Sequence, residues 1–263
     1  MSRLDATFAA LRADRRTGLI AYVTAGDPDL ARSRDIVRAL GRGGADVIEI
    51  GVPFSDPIAD GPAIQRASER ALAAGGSLAA SLDLVRDVRA DVTAPLVLFT
   101  YLNPVVRMGL ERFAERAAAA GVDGVLLLDL PIEEAADARA VLDAHGLAQI
   151  FLVSPTTSDD RLRQAGKLGR GFLYAISRLG VTGARDTVAA SAAPLVRRIR
   201  AATSLPVALG FGISTPAHVR EVVGYADAAV VGSALVQAAA AAVAEGRDPA
   251  AELERMTRWL KDG

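Results

Sequence analysis

Two alternating hydrophobic periodicities constrain the fold of this chain more than any other feature. Short β-branched or aliphatic runs, typical of buried strands, occur at Gly18–Thr24, Asp46–Gly51, Pro95–Tyr101, Asp123–Leu128, Gln149–Val153, Gly171–Ile176, Leu205–Gly210 and Asp227–Gly232. Segments with helical periodicity lie between them, including Leu30–Gly41, Leu78–Ala90, Glu111–Ala120, Ile132–His145, Thr187–Ala201 and Thr215–Val223. Strict alternation of strands and helices predicts a parallel sheet.

Eight such units in a chain of 263 residues favour a closed barrel. Because no composition break or Pro/Ser-rich linker divides the chain, a single (β/α)8 barrel domain over residues 1–263 is favoured over an open doubly wound sheet. Additional helices are predicted at Ser2–Arg12, near Pro62–Ala73, and in a C-terminal pair at Ala234–Glu245 and Pro249–Lys261. In the last helix, Trp259 is spaced with Met256 and Leu260 for packing into the core.

The composition favours a soluble, cytoplasmic enzyme. A formal net charge of -1 leaves no basic surface for nucleic acid or anionic lipid, and 51% hydrophobic residues suffice for a core. No apolar run reaches the roughly 18 residues that cross a bilayer, and the charged N-terminal segment is unlike a secretory signal. Since the chain has no cysteine, disulfides, thiolate nucleophiles and Cys-type metal sites are excluded.

Two carboxylates, Glu49 and Asp60, lie where the second strand becomes a long loop. Barrel enzymes keep their sites in the loops that follow the strands. Side chains alternate along a strand, so Glu49 faces away from its two isoleucine neighbours, and residues 44–64 contain no basic partner. Burial raises the pKa of a carboxyl toward neutrality, which suits a proton shuttle. The alternatives are that Glu49 pairs with an arginine and that Asp60 caps the helix near Pro62.

The last two strand ends place glycines and hydroxyls before helices, in Gly210-Phe-Gly-Ile-Ser214 and Gly232-Ser233. Main-chain N–H groups at helix N-termini bind phosphate, and this fold often holds phosphate after strands seven and eight. We therefore predict a phosphate site here, with Gly183 of the sixth loop as a further amide. Alternatively, Ser214 and Ser233 are ordinary N-caps and the glycines only turn the chain.

The scarcity of lysine and histidine limits the kinds of catalysis that the chain can perform. Lysine occurs only as Lys167 and Lys261, and Lys167 precedes a strand, on the wrong face for a Schiff base. His145 closes a helix and His218 lies in the first turn of another, so both are expected to be structural, and no metal site is predicted. The chemistry that remains is acid–base catalysis by carboxylates and tyrosines on a phosphate ester.

Two further groups of residues bear on how a ligand is enclosed. The sixth strand end, 178–186, combines glycines, small polar residues and charges, as a loop that closes over a site does, although an ordinary solvated loop shares this composition. Aromatic residues in or beside strands are candidates for the barrel mouth, and the sequence does not tell which of them face a ligand. These aromatic residues are Tyr22, Phe99, Tyr101, Phe172, Tyr174 and Phe211.

These motifs give the chain a resemblance to the alpha subunit family of tryptophan synthase over essentially its whole length. The resemblance rests on Tyr22-Val-Thr-Ala-Gly-Asp-Pro28, on Gly-Val-Pro-Phe-Ser-Asp-Pro-Ile-Ala-Asp-Gly-Pro within Glu49–Ala67, and on Asn103-Pro104, Asp129-Leu-Pro131, Ser177-Arg-Leu-Gly-Val-Thr-Gly183, Gly210-Phe-Gly-Ile-Ser214 and Gly232-Ser233. The second motif is highly specific. Two local departures, Tyr22 where many relatives have Phe and Tyr101-Leu-Asn-Pro104 where an aromatic pair is common, concern only packing at the substrate site.

The resemblance implies cleavage of indole-3-glycerol phosphate to indole and glyceraldehyde 3-phosphate, a retro-aldol reaction without Schiff base or metal. It implies that Glu49 shuttles protons between indole C3 and the glycerol hydroxyl, that Asp60 stabilises charge developing at the indole N–H, and that Tyr174 assists. The amides expected to hold the phosphate are those of Gly183, Gly212, Gly232 and Ser233. On the sixth loop, which begins at Arg178, Thr182 is expected to meet Asp60 on closure.

The resemblance also implies an αββα complex, in which indole passes to a β subunit that carries pyridoxal phosphate. The second loop, with Asp56 and Pro57, is expected at that contact, and no cofactor is expected in this chain itself. The alternatives are a stand-alone indole-releasing lyase, another phosphate-binding barrel such as an isomerase, and a barrel that has lost catalysis and activates a partner. Loss of Glu49 or Asp60 would mark the last of these, and both residues are present.

Overall fold

Eight parallel strands form a closed barrel in the computed structural model, which describes residues 1–176, 191–210 and 212–263. The strands follow the order of the sequence around the barrel, and the eighth pairs with the first. They are β1 Gly18–Thr24, β2 Val47–Gly51, β3 Leu96–Thr100, β4 Gly124–Leu127, β5 Ala148–Val153, β6 Leu173–Ile176, β7 Val207–Gly210 and β8 Ala228–Val231. The predicted (β/α)8 fold is confirmed, and each strand lies within one or two residues of a predicted run.

Helices surround this barrel, all on its outside except the first, which lies at its N-terminal end. They are α1 Arg3–Ala13, α2 Leu30–Arg42, α3 Pro62–Ala73, α4 Leu78–Val88, α5 Leu102–Met108, α6 Leu110–Ala120, α7 Ala135–Ala144, α8 Asp159–Leu168, α9 Ala192–Ala202, α10 Pro216–Val223, α11 Ser233–Ala244 and α12 Pro249–Asp262, with a 3₁₀ turn at Ile132–Glu134. Two of them, α5 and α8, are not among the predicted helices. In α5 the proline at position 104 falls in the first turn, where no helical hydrogen bond to its nitrogen is needed.

The interior of the barrel is filled by alternate side chains of the strands, and its N-terminal end is plugged by α1. Leu4, Phe8 and Leu11 of α1 are buried together with the inward-facing residues of the strands. The ring of Phe8 packs against Phe172 of β6, with ring centroids 5.5 Å apart. Because this end is closed by apolar side chains, the opposite end, where the strands finish, is the one open to a ligand.

Three aspartates tie the N-terminal ends of the strands to one another. Asp46, Asp123 and Asp227 accept the main-chain N–H groups of Leu19, Leu96 and Val207, each at 2.8 Å. Each carboxylate also pairs with a cation, namely Lys261 at 3.0 Å, Arg89 at 3.1 Å and Arg200 at 3.1 Å, respectively. Asp123 is buried and the other two are partly buried, and at this end of the barrel all three carboxylates have hydrogen-bond partners and a nearby cation.

The last helix departs from its prediction at one residue. Trp259 on α12 is 45% exposed, whereas its neighbour Leu260 is 1% exposed, so the expected core packing of Trp259 is wrong. Adjacent residues on a helix are rotated by about 100°, and α12 turns its Leu253–Leu260 face inward, leaving Trp259 at the edge. Among the helices of the described residues, none has the length and apolar character needed to span a membrane.

Candidate active site

Glu49 lies in the middle of β2 and faces the inside of the barrel. It stands level with Tyr22 of β1 and Val97 of β3, while the flanking Ile48 and Ile50 pack outward into the shell of helices. The side chain is fully buried, and neither carboxyl oxygen has a hydrogen-bond partner among the described residues. Burial raises the pKa of Glu49 from 4.5 to about 8, so the carboxyl is protonated at neutral pH.

The alternative in which Glu49 pairs with an arginine does not hold within the described part of the chain. None of the ion pairs there includes Glu49, although arginines elsewhere in the fold pair extensively. A buried carboxyl without a cation costs stability unless it is protonated, and such groups cluster at functional sites. The structure thus leaves Glu49 poised to give up or take a proton.

Asp60 lies at the end of the loop that follows β2 and is 5% exposed. The hydroxyl of Tyr101 donates a hydrogen bond to Asp60 Oδ2 at 3.1 Å. The N-cap of α3 is Gly61, and no side chain caps that helix, so the interpretation of Asp60 as a helix cap is wrong. Burial raises the pKa of Asp60 to about 6, and the Tyr101 hydroxyl partly offsets this rise. At neutral pH Asp60 is therefore ionised while Glu49 is protonated.

Aromatic rings form a row across the mouth of the barrel. Phe99 lies between Tyr22 and Tyr174, with ring centroids 5.5 Å and 6.4 Å away. Both tyrosines are buried, and the pKa of each hydroxyl is raised, first by burial and then by the nearby charges of Asp60 and Glu49. Tyr174, predicted as a site residue, thus lies close enough to both carboxyls to interact with their charges.

Of the other aromatic candidates, Phe172 and Tyr101 lie at opposite ends of the barrel. Phe172 lies at the plugged end against α1, and Phe211 falls outside the described residues. Tyr101 contacts Asp60, and the sequence alone did not assign it to the site. It stood among the aromatic candidates, but its contact with Asp60 joins residues 41 positions apart and depends on the curvature of the barrel.

Glycines let the tyrosines reach their positions. A Cβ atom on Gly51 would lie 2.1 Å from the Tyr22 hydroxyl, and one on Gly210 would lie 2.3 Å from the Tyr174 hydroxyl. Any side chain at either strand end would displace the ring beside it. The strand-end glycines therefore shape the wall of the site as well as turning the chain.

The predicted phosphate residues lie at the starts of two helices. Ser233 is the first residue of α11 and Gly232 is its N-cap, while Gly212 precedes α10 with a φ of 83°. Thr215, whose hydroxyl accepts the His218 N–H, caps α10, so the alternative that Ser214 and Ser233 are the N-caps is wrong. A Cβ atom on Gly232 would lie 3.4 Å from the Tyr22 ring, which brings the start of α11 next to the aromatic row.

The remaining predicted residues lie on the second and sixth loops. Asp56 is exposed and Pro57 is half-buried on the second loop, whose Ile58 is 82% exposed. Gly183, Arg178 and Thr182 fall outside the described residues.

Both histidines occupy helix ends. His145 closes α7 with its Nδ1 3.0 Å from the Val141 carbonyl oxygen, and the Nδ1 of His218 accepts the Ser214 N–H at 3.3 Å. Within 1–176, 191–210 and 212–263, no three His, Asp or Glu side chains come together as a metal site would require. The chemistry that this site can perform is carried by one neutral and one ionised carboxyl beside tyrosine hydroxyls.

Comparisons with known proteins point to a single family. The family model described as tryptophan synthase alpha chain matches residues 8–263. A tryptophan synthase alpha chain of Solibacter usitatus is 51% identical over 266 residues, covering 100% of this chain and 98% of the relative. One of Geobacter sulfurreducens is 54% identical over 237 residues, covering 90% of each.

Solved structures give the same result. The crystal structure of tryptophan synthase subunit alpha from Legionella pneumophila has a TM-score of 0.90 at 38% identity, covering 100% of this chain and 98% of that one. A structure of Mycobacterium tuberculosis tryptophan synthase has a TM-score of 0.88 at 40% identity, covering 98% of each.

Proposed function

The chain belongs to the tryptophan synthase alpha chain family, and from this we propose that Glu49 and Asp60 carry out the family's reaction here. That reaction is the cleavage of indole-3-glycerol phosphate to indole and glyceraldehyde 3-phosphate, and the chain is a lyase of tryptophan biosynthesis. The observation that supports the assignment is the pair of buried carboxyls, with pKa values of about 8 and about 6, at the open end of the barrel.

Glu49 acts first as an acid and then as a base. Protonated at neutral pH, it gives its proton to C3 of the indole, and the ring becomes an electron-accepting iminium. Glu49, now ionised, takes the proton from the adjacent glycerol hydroxyl. The oxygen forms the carbonyl of glyceraldehyde 3-phosphate, the bond from C3 to the glycerol carbon breaks, and its electron pair restores the indole. The high pKa that burial gives Glu49 suits both steps.

Asp60 supplies the negative charge that balances the positive charge of the protonated indole. Ionised at neutral pH, it faces the indole N–H and stabilises the positive charge that develops on the ring nitrogen when C3 is protonated. Tyr174, whose ring lies beside Phe99, assists. Because the two carboxyls differ in pKa, one site provides an acid and an anion at the same pH.

Main-chain amides hold the phosphate of the substrate. Gly212, Gly232 and Ser233 provide N–H groups at the starts of α10 and α11, where the helix dipole favours an anion. Gly183 is proposed as a further amide. Arg178 and Thr182 are proposed as residues of a sixth loop that closes over the substrate, with Thr182 meeting Asp60.

The family passes indole to a β subunit, and we propose that this chain assembles with such a subunit into an α2β2 heterotetramer in the cytoplasm. Asp56 and Pro57 are the proposed contact. This is supported by the exposure of the middle of the second loop, and the same loop carries Asp60. Pyridoxal phosphate is proposed for the β subunit, with no cofactor in this chain. The second loop would then connect the partner to the active site directly.

The test is an assay of indole released from indole-3-glycerol phosphate by the purified chain, with and without a tryptophan synthase β subunit. We expect release by the chain alone and stimulation on addition of the β subunit. Release without stimulation would indicate a stand-alone lyase. No release under either condition, together with stimulation of the β subunit's own reaction, would indicate a non-catalytic activating barrel.

A further inference from the structure

Tyr101 follows β3 directly, and its single hydroxyl joins two consecutive residues of the second loop. The hydroxyl oxygen accepts the N–H of Ala59 at 3.1 Å and donates its own hydrogen to Asp60 Oδ2 at 3.1 Å. The first bond fixes the main chain of the loop and the second fixes the carboxyl. Among the described residues, no other side chain hydrogen-bonds the Asp60 carboxyl.

The ring that carries this hydroxyl is itself held in place. It stacks on Phe54, with centroids 4.8 Å apart and planes 29° from parallel, and it is 4% exposed. Its chain neighbour Leu102 donates its N–H to Asp129 Oδ1 at 2.6 Å. A tyrosine has only two side-chain torsions, so a stacked ring on an anchored main chain fixes the position of its hydroxyl closely. Phe54, Ala59 and Asp60 all belong to the second loop, which thus meets Tyr101 at three points.

The chemistry of a phenol suits this task. Burial and the charge of Asp60 raise the pKa of Tyr101, so the hydroxyl stays protonated and remains a donor across the working range of pH. The same bond favours the ionised form of Asp60 and opposes the rise in its pKa that burial causes. A neutral donor can do this without adding a charge to the mouth of the barrel.

We propose that Tyr101 is a positioning residue for Asp60, which holds the carboxylate through Oδ2 and presents Oδ1 to the indole N–H. This rests on the proposed function, in which an ionised Asp60 stabilises the developing charge on the ring nitrogen. Tyr101 touches no reacting atom. It acts through Asp60, and through Ala59 it fixes the loop from which Asp60 projects.

The test is Tyr101→Phe, which keeps the ring on Phe54 and removes only the hydroxyl. With the protein labelled with ¹³C at aspartate carboxyls, the Asp60 resonance is identified by its loss in Asp60→Asn and titrated with pH. We expect the Asp60 midpoint of Tyr101→Phe to lie at higher pH than in the wild type, and kcat/KM at pH 7 to fall about 10-fold. An unchanged midpoint overturns the proposal.

Two controls separate positioning from a general loss of structure. Tyr225→Phe removes a hydroxyl at the turn before β8, at the other end of the barrel, and is expected to leave both the midpoint and kcat/KM unchanged. In an Asp60→Asn background, Tyr101→Phe is expected to change kcat/KM by less than about 2-fold, because residues that act through one another are not additive. A full 10-fold loss in that background would overturn the proposal.

The readouts also distinguish this proposal from the proposed function. The titration midpoint of Asp60 is measured on folded protein without substrate, so it stands whether or not the wild type releases indole. Failure of the wild type to release indole would count against the function, whereas an unmoved midpoint in Tyr101→Phe would count against the positioning role alone. Circular dichroism and the thermal midpoint show whether each variant is folded.

Discussion

The three aspartates at the N-terminal end of the barrel and the two carboxyls of the candidate site at its open end are surrounded in opposite ways. At the N-terminal end, Asp46, Asp123 and Asp227 each accept a main-chain N–H from a neighbouring strand and pair with a lysine or arginine. At the C-terminal end, no ion pair between described residues includes Glu49 or Asp60. The same functional group serves the fold at one end and is left chemically reactive at the other.

The difference shows how the partners of a carboxyl group determine the effect of its removal from water. A carboxylate that lies beside a main-chain donor and a cation ties strands together, while one that is buried without a cation has its pKa raised toward neutrality. Removing one of these three aspartates should therefore cost stability, and removing Glu49 or Asp60 should cost activity. The contrast would be broken if the two outcomes were exchanged.

The largest expected effect is that of Glu49→Gln. The amide is similar in size but cannot give a proton to C3 and then take one from the hydroxyl, and acid–base catalysis of this kind contributes about 10²–10⁴-fold. We expect kcat to fall by a factor in that range while the substrate still binds. Single-turnover release of indole at saturating substrate measures this loss, and near-native turnover would refute the role of Glu49.

Stability provides the control for Glu49→Gln. Burial raises the folded-state pKa of Glu49 from 4.5 to about 8, so between these pH values the folded chain binds more protons than the unfolded chain. The contribution of Glu49 to stability is thus present below pH 4.5 and is lost as the pH rises toward 8. Urea unfolding should show this fall in the wild type and a smaller one in Glu49→Gln.

The next effect in size is that of Asp123→Ala at the plugged end. The substitution removes the acceptor of the Leu96 N–H and the partner of Arg89, whose side chain is 15% exposed and whose pKa burial lowers. We expect the free energy of unfolding to fall by about 2–4 kcal/mol, with kcat of the folded fraction unchanged. Urea unfolding followed by circular dichroism measures the loss.

Asp83→Ala is the matched control for Asp123→Ala. Asp83 pairs with Arg86 one turn along α4, but its side chain is 41% exposed. Exposed pairs of this kind contribute little, so a change of less than about 0.5 kcal/mol is expected. If Asp123→Ala cost no more than Asp83→Ala, the aspartates at the plugged end would not be holding the strands together.

The sequence predicts the barrel and one carboxyl of the site well, because both depend on local pattern. The two periodicities locate all eight strands, and the inward direction of Glu49 follows from alternation along β2. The lack of a nearby cation then implies the burial without a partner that the structure shows.

Features that depend on distant parts of the chain are less accessible from sequence. The bond between Tyr101 and Asp60 spans 41 residues and is created only when the second and third strand ends meet. The choice of Thr215 and Gly232 over the two serines as N-caps depends on where each helix begins by a single residue. The exposure of Trp259 depends on the rotation of α12 against its neighbours, which its spacing with Met256 and Leu260 does not fix.

A moderate effect of pH on kcat/KM is expected, and it tests the difference in pKa between the two carboxyls at the open end. The proposed mechanism requires Glu49 protonated and Asp60 ionised, and their pKa values are about 8 and about 6. The profile of kcat/KM should therefore be bell-shaped. It should fall about tenfold per pH unit below the pKa of Asp60 and above the pKa of Glu49.

Asp60→Asn identifies the acid limb of this profile, since it removes the group that must be ionised. If the acid limb were unchanged in Asp60→Asn, it would belong to another group, such as the substrate phosphate. A profile that rose steadily above pH 8 would mean that Glu49 is needed in its ionised form from the start, and the order of the two proton transfers would have to be reversed.

The smallest effect is expected from Tyr22→Phe, although Tyr22 lies beside the same two carboxyls. Its ring, which packs edge-on against Phe99 with centroids 5.5 Å apart, is kept, and no bond between the described residues joins its hydroxyl to Asp60. We expect kcat to change by less than about 3-fold, which is under 1 kcal/mol. Steady-state release of indole, measured beside Tyr101→Phe, provides the comparison. If Tyr22→Phe lost as much activity as Tyr101→Phe, proximity to the carboxyls rather than the hydrogen bond to Asp60 would determine which tyrosine matters, and the open end would have to be regarded as one coupled network of carboxyls and hydroxyls.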